Sequence, residues 1–518
     1  MSKKVRITLI TIGSIIGLLL LALIIGNLVV KNKVEKFFTN GLPEHIAASY
    51  SNLDVHLITG TMTFSDISVS LQDTSKKAKH THVKTEKLIV EDFKYWDYLF
   101  NNQIHLEAIQ ISKPDITYYK HKYQPNQNTT NSSTATNKPL QRTVLIDKFS
   151  IDNAKITMYD DTTDSTFLYV PDIMVTVSGL YFDNETLQKR LPVTYKNYQA
   201  STDSIFLKVG AYEALKTGPL QLKNKKLTVD SIRLYTKYSI AKHTELLEKE
   251  RDHFDVSVGS LSVNNIDFGF TDRQFFYKTS KIIFDKIDAT IYRNKLVADD
   301  TREKPLYSKM LRELPIALTV DSLLINNSNV RYEEKVKADQ PPGAIHFDNL
   351  NANIENVGNT YPEKQSTNMK ITSTFMQSTP VNVDWTFDVQ DTSDTFTFKA
   401  DIGPLAAEQL NSFTKPNLRA ALEGKVDQTF FSIYGTSNQS EIDMRIKYDH
   451  FKVDLLKEDG SSTKTLLSGL ANLFLKSDSE NDSEGFTKGS ATVQPDKTKS
   501  FFNYLWLNVR DALKACLL

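Results

Sequence analysis

Apolar and polar residues alternate along most of this chain, and the alternation is interrupted in a recurring way. The clearest copies of the pattern lie at residues 149–158, 261–270 and 323–332. Each copy alternates, reaches an asparagine, skips one position and alternates again. A period of two indicates a β-strand with one apolar face. Asparagine tolerates left-handed backbone angles, so we expect a bulge or bend at Asn153, Asn265 and Asn327.

A fourth segment, residues 109–118, has the same shape with Lys113 in the position of the asparagine. The repeating element is therefore a bent strand, and the chain is a β protein built by repetition. The copies are unevenly spaced, which excludes a solenoid of fixed period and favours a meander of long strands with insertions between them.

The N-terminus has a different pattern. Lys3, Lys4 and Arg6 precede an apolar run at residues 7–30. A helix of about 24 residues is about 36 Å long, enough to cross a hydrocarbon core of about 30 Å. A cleaved signal peptide is the alternative, but the run is longer than the apolar region of a typical signal peptide and no small-residue cleavage site follows it. We therefore predict a transmembrane anchor with a cytoplasmic N-terminus.

Composition shifts divide the remainder of the chain. The predicted segments are a transmembrane anchor at 1–33, an N-terminal β segment at 34–120, a polar flexible loop at 121–139, repeated β-groove strands at 140–400, a C-terminal β segment at 401–475, a polar loop at 476–500 and an amphipathic helix at 501–518. Short helices are predicted at 95–100, at 241–252, within 296–314 and at 403–422.

Charge and motif content exclude several classes of function. Lys+Arg and Asp+Glu both number 62, so the balance does not indicate a nucleic-acid partner. The sequence has no glycine-rich phosphate loop, paired cysteine motif or His-x-x-x-His pair, and its one cysteine, Cys516, cannot form an internal disulfide. The closest histidines, His80 and His82, lack a third ligand beside them. We expect no enzymatic activity, no cofactor and no metal.

The order of several segments after the anchor resembles AsmA-like envelope proteins. They are Gly60-Thr-Met62-Thr-Phe64, Val83 to Asp92, the short turn Tyr95–Phe100, Ile104 to Ile116, Leu410 to Phe413, Tyr434-Gly435 and Lys447 to Leu456. The resemblance extends over the whole chain. It implies an elongated, curved antiparallel sheet, called a β-taco or groove, with short helical insertions and a single-pass anchor in the inner membrane. It also implies that most of the chain is periplasmic and moves phospholipid toward the outer membrane, or maintains that membrane, without catalysis.

The apolar side chains of the bent strands are the candidate lipid-facing residues. They are Phe149, Ile151, Ile156, Met158, Leu261, Val263, Ile266, Phe268, Phe270, Leu323, Ile325, Val330 and Tyr332. A sheet must hide its apolar face. Curling into a gutter leaves a channel for acyl chains, whereas packing on a second sheet makes an ordinary sandwich core. Alternation does not distinguish the two, so a tethered scaffold protein of an envelope complex, with a filled core, stays the alternative function.

The expected partners are phospholipid acyl chains, the inner membrane through residues 7–30, and an outer-membrane or envelope protein through residues 501–518. On a helix, the apolar residues of this last segment share one face opposite Asn503, Arg510 and Lys514. That face is suited to a membrane interface, to a partner or to capping the open end of the β structure.

Overall fold

A computed structural model describes residues 24–36, 38, 41–43, 45–72, 78–120, 140–160, 165–271, 274–456 and 484–517. The fold is mainly β with short helices, as the alternation predicts. The chain forms two compact units. Unit 1 comprises Met1–Lys208 with Gly218–Asn224, and unit 2 comprises Val209–Thr217 with Lys225–Leu518.

The strands follow one another closely in sequence. In chain order they are β1 Ile46–Ser49, β2 Asn52–His56, β3 Thr61–Gln72, β4 Lys79–Phe93, β5 Gln103–Ser112, β6 Asp115–Tyr119, β7 Thr143–Asp160, β8 Ser165–Phe182, β9 Asn197–Thr202, β10 Ile205–Lys208, β11 Glu213–Thr217, β12 Leu220–Lys223, β13 Lys226–Val229, β14 Ile232–Thr236, β15 His253–Asn264, β16 Asp267–Thr271, β17 Gln274–Asn294, β18 Ala317–Lys335, β19 Gly343–Gly358, β20 Thr367–Phe375, β21 Thr379–Phe387, β22 Phe396–Ile402, β23 Leu405–Ala406, β24 Ala420–Gly435, β25 Ser440–Leu455 and β26 Thr487–Val493.

The helices are short and lie between the strands or at the chain ends. They are α1 at residues 24–36, α2 Tyr95–Phe100, α3 Ile240–Leu246, α4 Tyr307–Arg312, α5 Asn411–Leu418 and α6 Phe501–Leu517, with 3-10 turns at Thr186–Gln188 and Ala407–Leu410. Helix α2 has the predicted bounds, α4 and α6 lie within predicted helical segments, and α3 begins one residue before the segment predicted at 241–252 and ends at Leu246. The helix predicted at 403–422 is shorter, because β24 begins at Ala420.

Each unit contains a mixed sheet, so the purely antiparallel sheet predicted from sequence is wrong. In unit 1, β5 and β6 pair in parallel with β7. In unit 2, β17 pairs in parallel with β18. The other ladders among the described residues are antiparallel. Parallel neighbours need a connection of a dozen or more residues, and the chain supplies one at each place, between β6 and β7 and between β17 and β18.

The four predicted bends are confirmed. Lys113, Asn153, Asn265 and Asn327 have φ angles of 49°, 53°, 56° and 49°. The pairing register shifts beside Asn153 in β7 and beside Asn327 in β18, as it does at a β-bulge. A break in alternation therefore located these four bends from sequence alone, whereas other strand residues with positive φ, such as Lys286 and Asn349, were not predicted.

The three asparagines do not, however, occupy one repeated position. Asn327 of β18 lies level with Lys286 of β17 and close to the level of Asn349 of β19, and all three have positive φ. Asn265 lies at another level of the sheet, which it shares with Asn356 of β19, and both of these residues have positive φ. Strand β19 therefore bends twice, at Asn349 and at Asn356, whereas β17 and β18 each contain one residue with positive φ, Lys286 and Asn327.

One segment predicted as a polar loop is partly a strand. Within 476–500, β26 pairs antiparallel with β25, and residues 476–483 lie outside the described residues. The inward positions of β26 include Gly489 and Ala491, which pack beside α6. Such small residues do not produce the alternation by which the other strands were recognised.

The predicted membrane helix at 7–30 lies mostly outside the described residues, as does the polar loop at 121–139. Helix α1 includes the end of that apolar run. Within the described part of the chain, no helix is both long enough and apolar enough to cross a membrane.

Side chains fill two compact clusters. The larger lies in unit 2, where α6 packs on the strands from β21 to β26, and the ring of Trp385 stacks on that of Phe501 with centroids 4.5 Å apart. The smaller lies in unit 1, where Val34 and Phe38 pack against Phe64 of β3 and its neighbours. Elsewhere in each unit, much of the apolar surface of the strands is only half-buried.

Candidate functional site

The candidate site is the apolar face of the sheets, and strand register assembles it. Directly paired residues of neighbouring strands point to the same side of a sheet. In unit 2, one such row runs across β15, β17, β18 and β19 and then on to β20, β21, β22, β24 and β25. Its members are Val263, Ile282, Leu323, Ile354, Met369, Trp385, Phe398, Ile433 and Ile442. An apolar stripe therefore crosses the sheet at right angles to its strands.

A second row lies beside the first. It contains Leu261, Phe284, Ile325 and Ala352 on β15, β17, β18 and β19. The predicted residues Leu261 and Ile325 are thus both members of this row, separated by one strand. Phe284 and Ala352 were not among the residues predicted from sequence to face lipid. Both are apolar positions in the related alternating segments 284–291 and 347–354, so the alternation could have identified them.

Unit 1 has an equivalent face. One row runs from Phe64 of β3 through Leu88, Ile111 and Ile151 to Val175 of β8. The other predicted residues of β7 pair in the same way, with Phe149 beside Ile109, Ile156 beside Ile116 and Met158 beside Tyr118. The four predicted residues of β7 therefore belong to the face of unit 1, and the other nine to unit 2.

Burial divides this face into a filled part and an accessible part. Under α6, Trp385, Ile433 and Ile442 are buried. On β7 and β18, the predicted residues are only half-buried. Apolar side chains that stay partly accessible offer contact surface to a ligand, and the filled end of the face does not.

The predicted residues on β15 and β16 differ from one another. Val263 and Ile266 are 4% and 5% exposed and belong to the interior, whereas Phe268 and Phe270 are each 38% exposed. Beyond the bend at Asn265, β16 pairs with the first part of β17. The rings at this end are therefore the more accessible part of the predicted set.

A charged cluster borders the face of unit 2 at one end of β17 and β18. The Tyr332 hydroxyl donates to Glu334 over 2.7 Å, and burial together with that carboxylate raises the pKa of Tyr332. Arg293 makes two hydrogen bonds to Asp252, over 2.6 and 2.7 Å. Beside them, Glu250 lies 2.6 Å from the Lys295 ammonium. The apolar strip thus ends against paired charges of both signs.

The described residues hold no group of three or more His, Cys, Asp or Glu side chains placed to bind a metal ion. What the described arrangement offers chemically is a continuous apolar contact surface with a polar border. No protein-family model matches the sequence, and no curated protein matches it significantly. The functional interpretation therefore depends on the geometry of the face.

Proposed function

We propose that this protein is a membrane-anchored groove that binds the acyl chains of phospholipids along its apolar face. In this proposal, the curved sheet forms an elongated β-taco in the periplasm and serves phospholipid transport toward the outer membrane, or the homeostasis of that membrane. The observation that carries it is the set of apolar rows across the strands of each unit, with half-buried side chains on β7 and β18. Binding of an acyl chain to such a surface lowers the free energy, because apolar area on both the lipid and the protein is removed from water.

The bends support the curved form of the groove. A bulge bends its strand and increases the local twist. In unit 2, the bends at Lys286, Asn327 and Asn349 lie close to one level on adjacent strands. Bends that coincide across strands curve a sheet as a whole, whereas scattered bends distort single strands.

The start of the face in unit 1 supports entry from a membrane. Val34 and Phe38 follow the predicted anchor, and they pack with Phe64 and Leu88, which begin an apolar row. The ring centroids of Phe38 and Phe64 are 5.8 Å apart. Hydrocarbon leaving a bilayer beside the anchor would meet this row first.

The alternative is a tethered scaffold with a filled core, and one observation favours it. Helix α6 covers the face over β21 to β26, and there the interior is closed by Trp385, Phe501 and their neighbours. If similar packing covered the rest of the face in the cell, the protein would bind a protein partner and no lipid.

Site-specific photocrosslinking tests the proposal. Benzoylphenylalanine is placed at Ile325, on the apolar side of β18, in the full chain expressed in its own membrane. The matched control is Leu324, also half-buried but on the opposite side of the same strand. We expect phospholipid attached at position 325 and not at position 324. A protein crosslink at 325 without lipid would favour the scaffold.

A further inference from the structure

Unit 1 has an exposed apolar patch that the groove does not use. It consists of Ile58, in the turn between β2 and β3, and Trp96, Leu99 and Phe100 of α2; we call it the α2 patch. These four side chains are between 66% and 80% exposed. Trp96 and Phe100 stack on each other with ring centroids 5.3 Å apart. Large apolar groups this accessible, gathered at one place, mark an interaction surface.

The α2 patch is held in place by polar contacts beneath it. The Tyr95 hydroxyl donates to the carbonyl oxygen of Leu57 over 2.7 Å, which ties α2 to the turn that contains Ile58. The Arg142 guanidinium lies 3.8 Å from the centroid of the Tyr98 ring and donates to the Tyr98 carbonyl oxygen. The exposed rings are therefore presented by a supported turn and helix.

The same end of unit 1 meets α1. Gly26 of α1 lies so close to Leu57 that a Cβ on Gly26 would be 2.5 Å from the Leu57 Cδ1 atom. The exposed large apolar residues of α1 are Ile24, Ile25, Leu28 and Val29. They belong to the end of the apolar run at 7–30. The α2 patch and the membrane-directed segment are thus neighbours.

We propose that the α2 patch lies in the interface of the membrane that holds the N-terminal segment, with Trp96 and Phe100 at the boundary of headgroups and acyl chains. Tryptophan is enriched at that depth because its ring is amphipathic, and phenylalanine and leucine occur with it on the buried faces of interfacial helices. Apolar residues on short surface elements bury there without crossing the bilayer. The contact orients unit 1 on the membrane, whether or not the apolar face carries lipid.

The test uses the fluorescence of Trp96 in the purified full chain, reconstituted in phosphatidylcholine vesicles with brominated acyl chains. Trp96 emission is the difference between the wild-type protein and Trp96→Phe, which keeps a ring to stack on Phe100. Bromine quenches tryptophan only at short range. We expect the Trp96 emission to be blue-shifted and lost in brominated vesicles.

A second position in unit 1 serves as the control. Met174 is an exposed residue of β8, eight residues from Phe182 at the end of that strand, which is roughly 26 Å at about 3.3 Å per residue. Phe182 is the end of β8 that lies near the α2 patch, because it pairs with Val144, two residues after the Arg142 that contacts Tyr98 of α2. Position 174 is therefore distant from the patch along the same strand. In a Met174→Trp variant, we expect aqueous iodide to quench the added emission and brominated lipid to leave it unchanged.

Two results would overturn the proposal. One is Trp96 emission that keeps its water-exposed wavelength and is quenched by iodide in brominated vesicles. The other is equal bromine quenching of Trp96 and of the tryptophan at position 174. Since the preparation contains only this chain and lipid, neither result can be attributed to a protein partner. Equal thermal unfolding of the wild type and Trp96→Phe establishes that the comparison is between folded proteins.

Discussion

At the scale of single residues, the bends at Asn265 and Lys113 each pair a residue at positive φ with a buried hydroxyl on the neighbouring strand. Thr279 donates over 2.6 Å to the carbonyl oxygen of Asn264, which directly precedes Asn265. Thr85 donates over 2.7 Å to the carbonyl oxygen of Ser112 in the same way. A bulge removes a carbonyl from the regular ladder, and a buried carbonyl without a partner is costly. The hydroxyl replaces the missing donor.

Thr279→Val keeps the shape of the side chain and removes its donor. Thr279 is fully buried, so we expect the free energy of unfolding to fall by about 1–2 kcal/mol. Urea unfolding followed by circular dichroism measures the change. Thr290→Val, at a half-buried position of the same strand, should change it by less than about 0.5 kcal/mol. Equal losses at the two positions would contradict the role assigned to Thr279.

His105 connects α2 to β7. Its Nδ1 atom lies 2.6 Å from Asp97, and its Nε2 atom lies 2.9 Å from Asp147. Burial disfavours the charged ring, but the hydrogen bonds to the two carboxylates outweigh burial and raise the pKa of His105 above its ordinary value of 6.5. The hydrogen bond from His105 also lowers the pKa of Asp97. The protonated ring is therefore favoured in the folded state.

This raised pKa makes the stability of unit 1 depend on pH. The contribution of His105 is fully present below pH 6.5, the pKa of the free side chain, and is lost as pH rises through the raised pKa of the folded state. We expect His105→Gln to lower the unfolding midpoint more at pH 5.5 than at pH 9. The measurement is thermal unfolding of both proteins across that range. A difference that grows toward high pH would have the wrong sign.

At the scale of elements, the contact between β26 and α6 depends on a small residue. A Cβ on Gly489 would lie 2.7 Å from the carbonyl oxygen of Ala512 and from the amide nitrogen of Cys516. Both of those atoms belong to the backbone of α6, so neither can move without moving the helix. The close approach explains why a strand with so little apolar content is nonetheless part of the sheet.

Gly489→Val should therefore push α6 away from the sheet. Overpacking of this kind costs about 1–3 kcal/mol. The single cysteine reports on it, because Cys516 is buried and burial raises its pKa to about 11. We expect thiol-reactive reagents to label Cys516 slowly in the wild type and faster in the variant. Lys488→Val, on the opposite side of β26, is the control, and faster labelling there would contradict this account.

At the scale of the whole molecule, each unit presents its own accessible apolar surface. We expect Ile151→Glu in unit 1 and Ile325→Glu in unit 2 each to reduce the phospholipid that co-purifies, because a carboxylate is costly beside an acyl chain. Both proteins should stay folded, since these positions are half-buried. Val263→Glu should unfold unit 2, because Val263 is 4% exposed. Mass spectrometry of bound lipid and circular dichroism separate the two outcomes.

Leu324→Glu is the matched control for Ile325→Glu, because it introduces the same charge on the other side of β18. It should leave the bound lipid unchanged. If both variants lost lipid equally, the loss would reflect damage to the strand. If Ile325→Glu lost stability and lipid together, the filled-core scaffold would be the better description.

Local patterns predicted much of this structure because they act over a few residues. The bend at Lys113 was predicted from the shape of its segment alone, and α2 was predicted with the bounds it has. The site was predicted in part. The residues of β7 and β18 were identified, but Phe284 was missed, and Val263 is interior although its alternation matches that of Ile325.

The sequence by itself determined that the strands have one apolar face and where four of their bends lie, because side-chain period and tolerance of positive φ are properties of neighbouring residues. Only the tertiary structure decided that β17 and β18 run parallel, that Asn265 and Asn327 lie at different levels of the sheet, and that α6 fills one end of the apolar face. These depend on which strands become neighbours and in which register. Pairing joins residues far apart in the chain, and no local pattern specifies it.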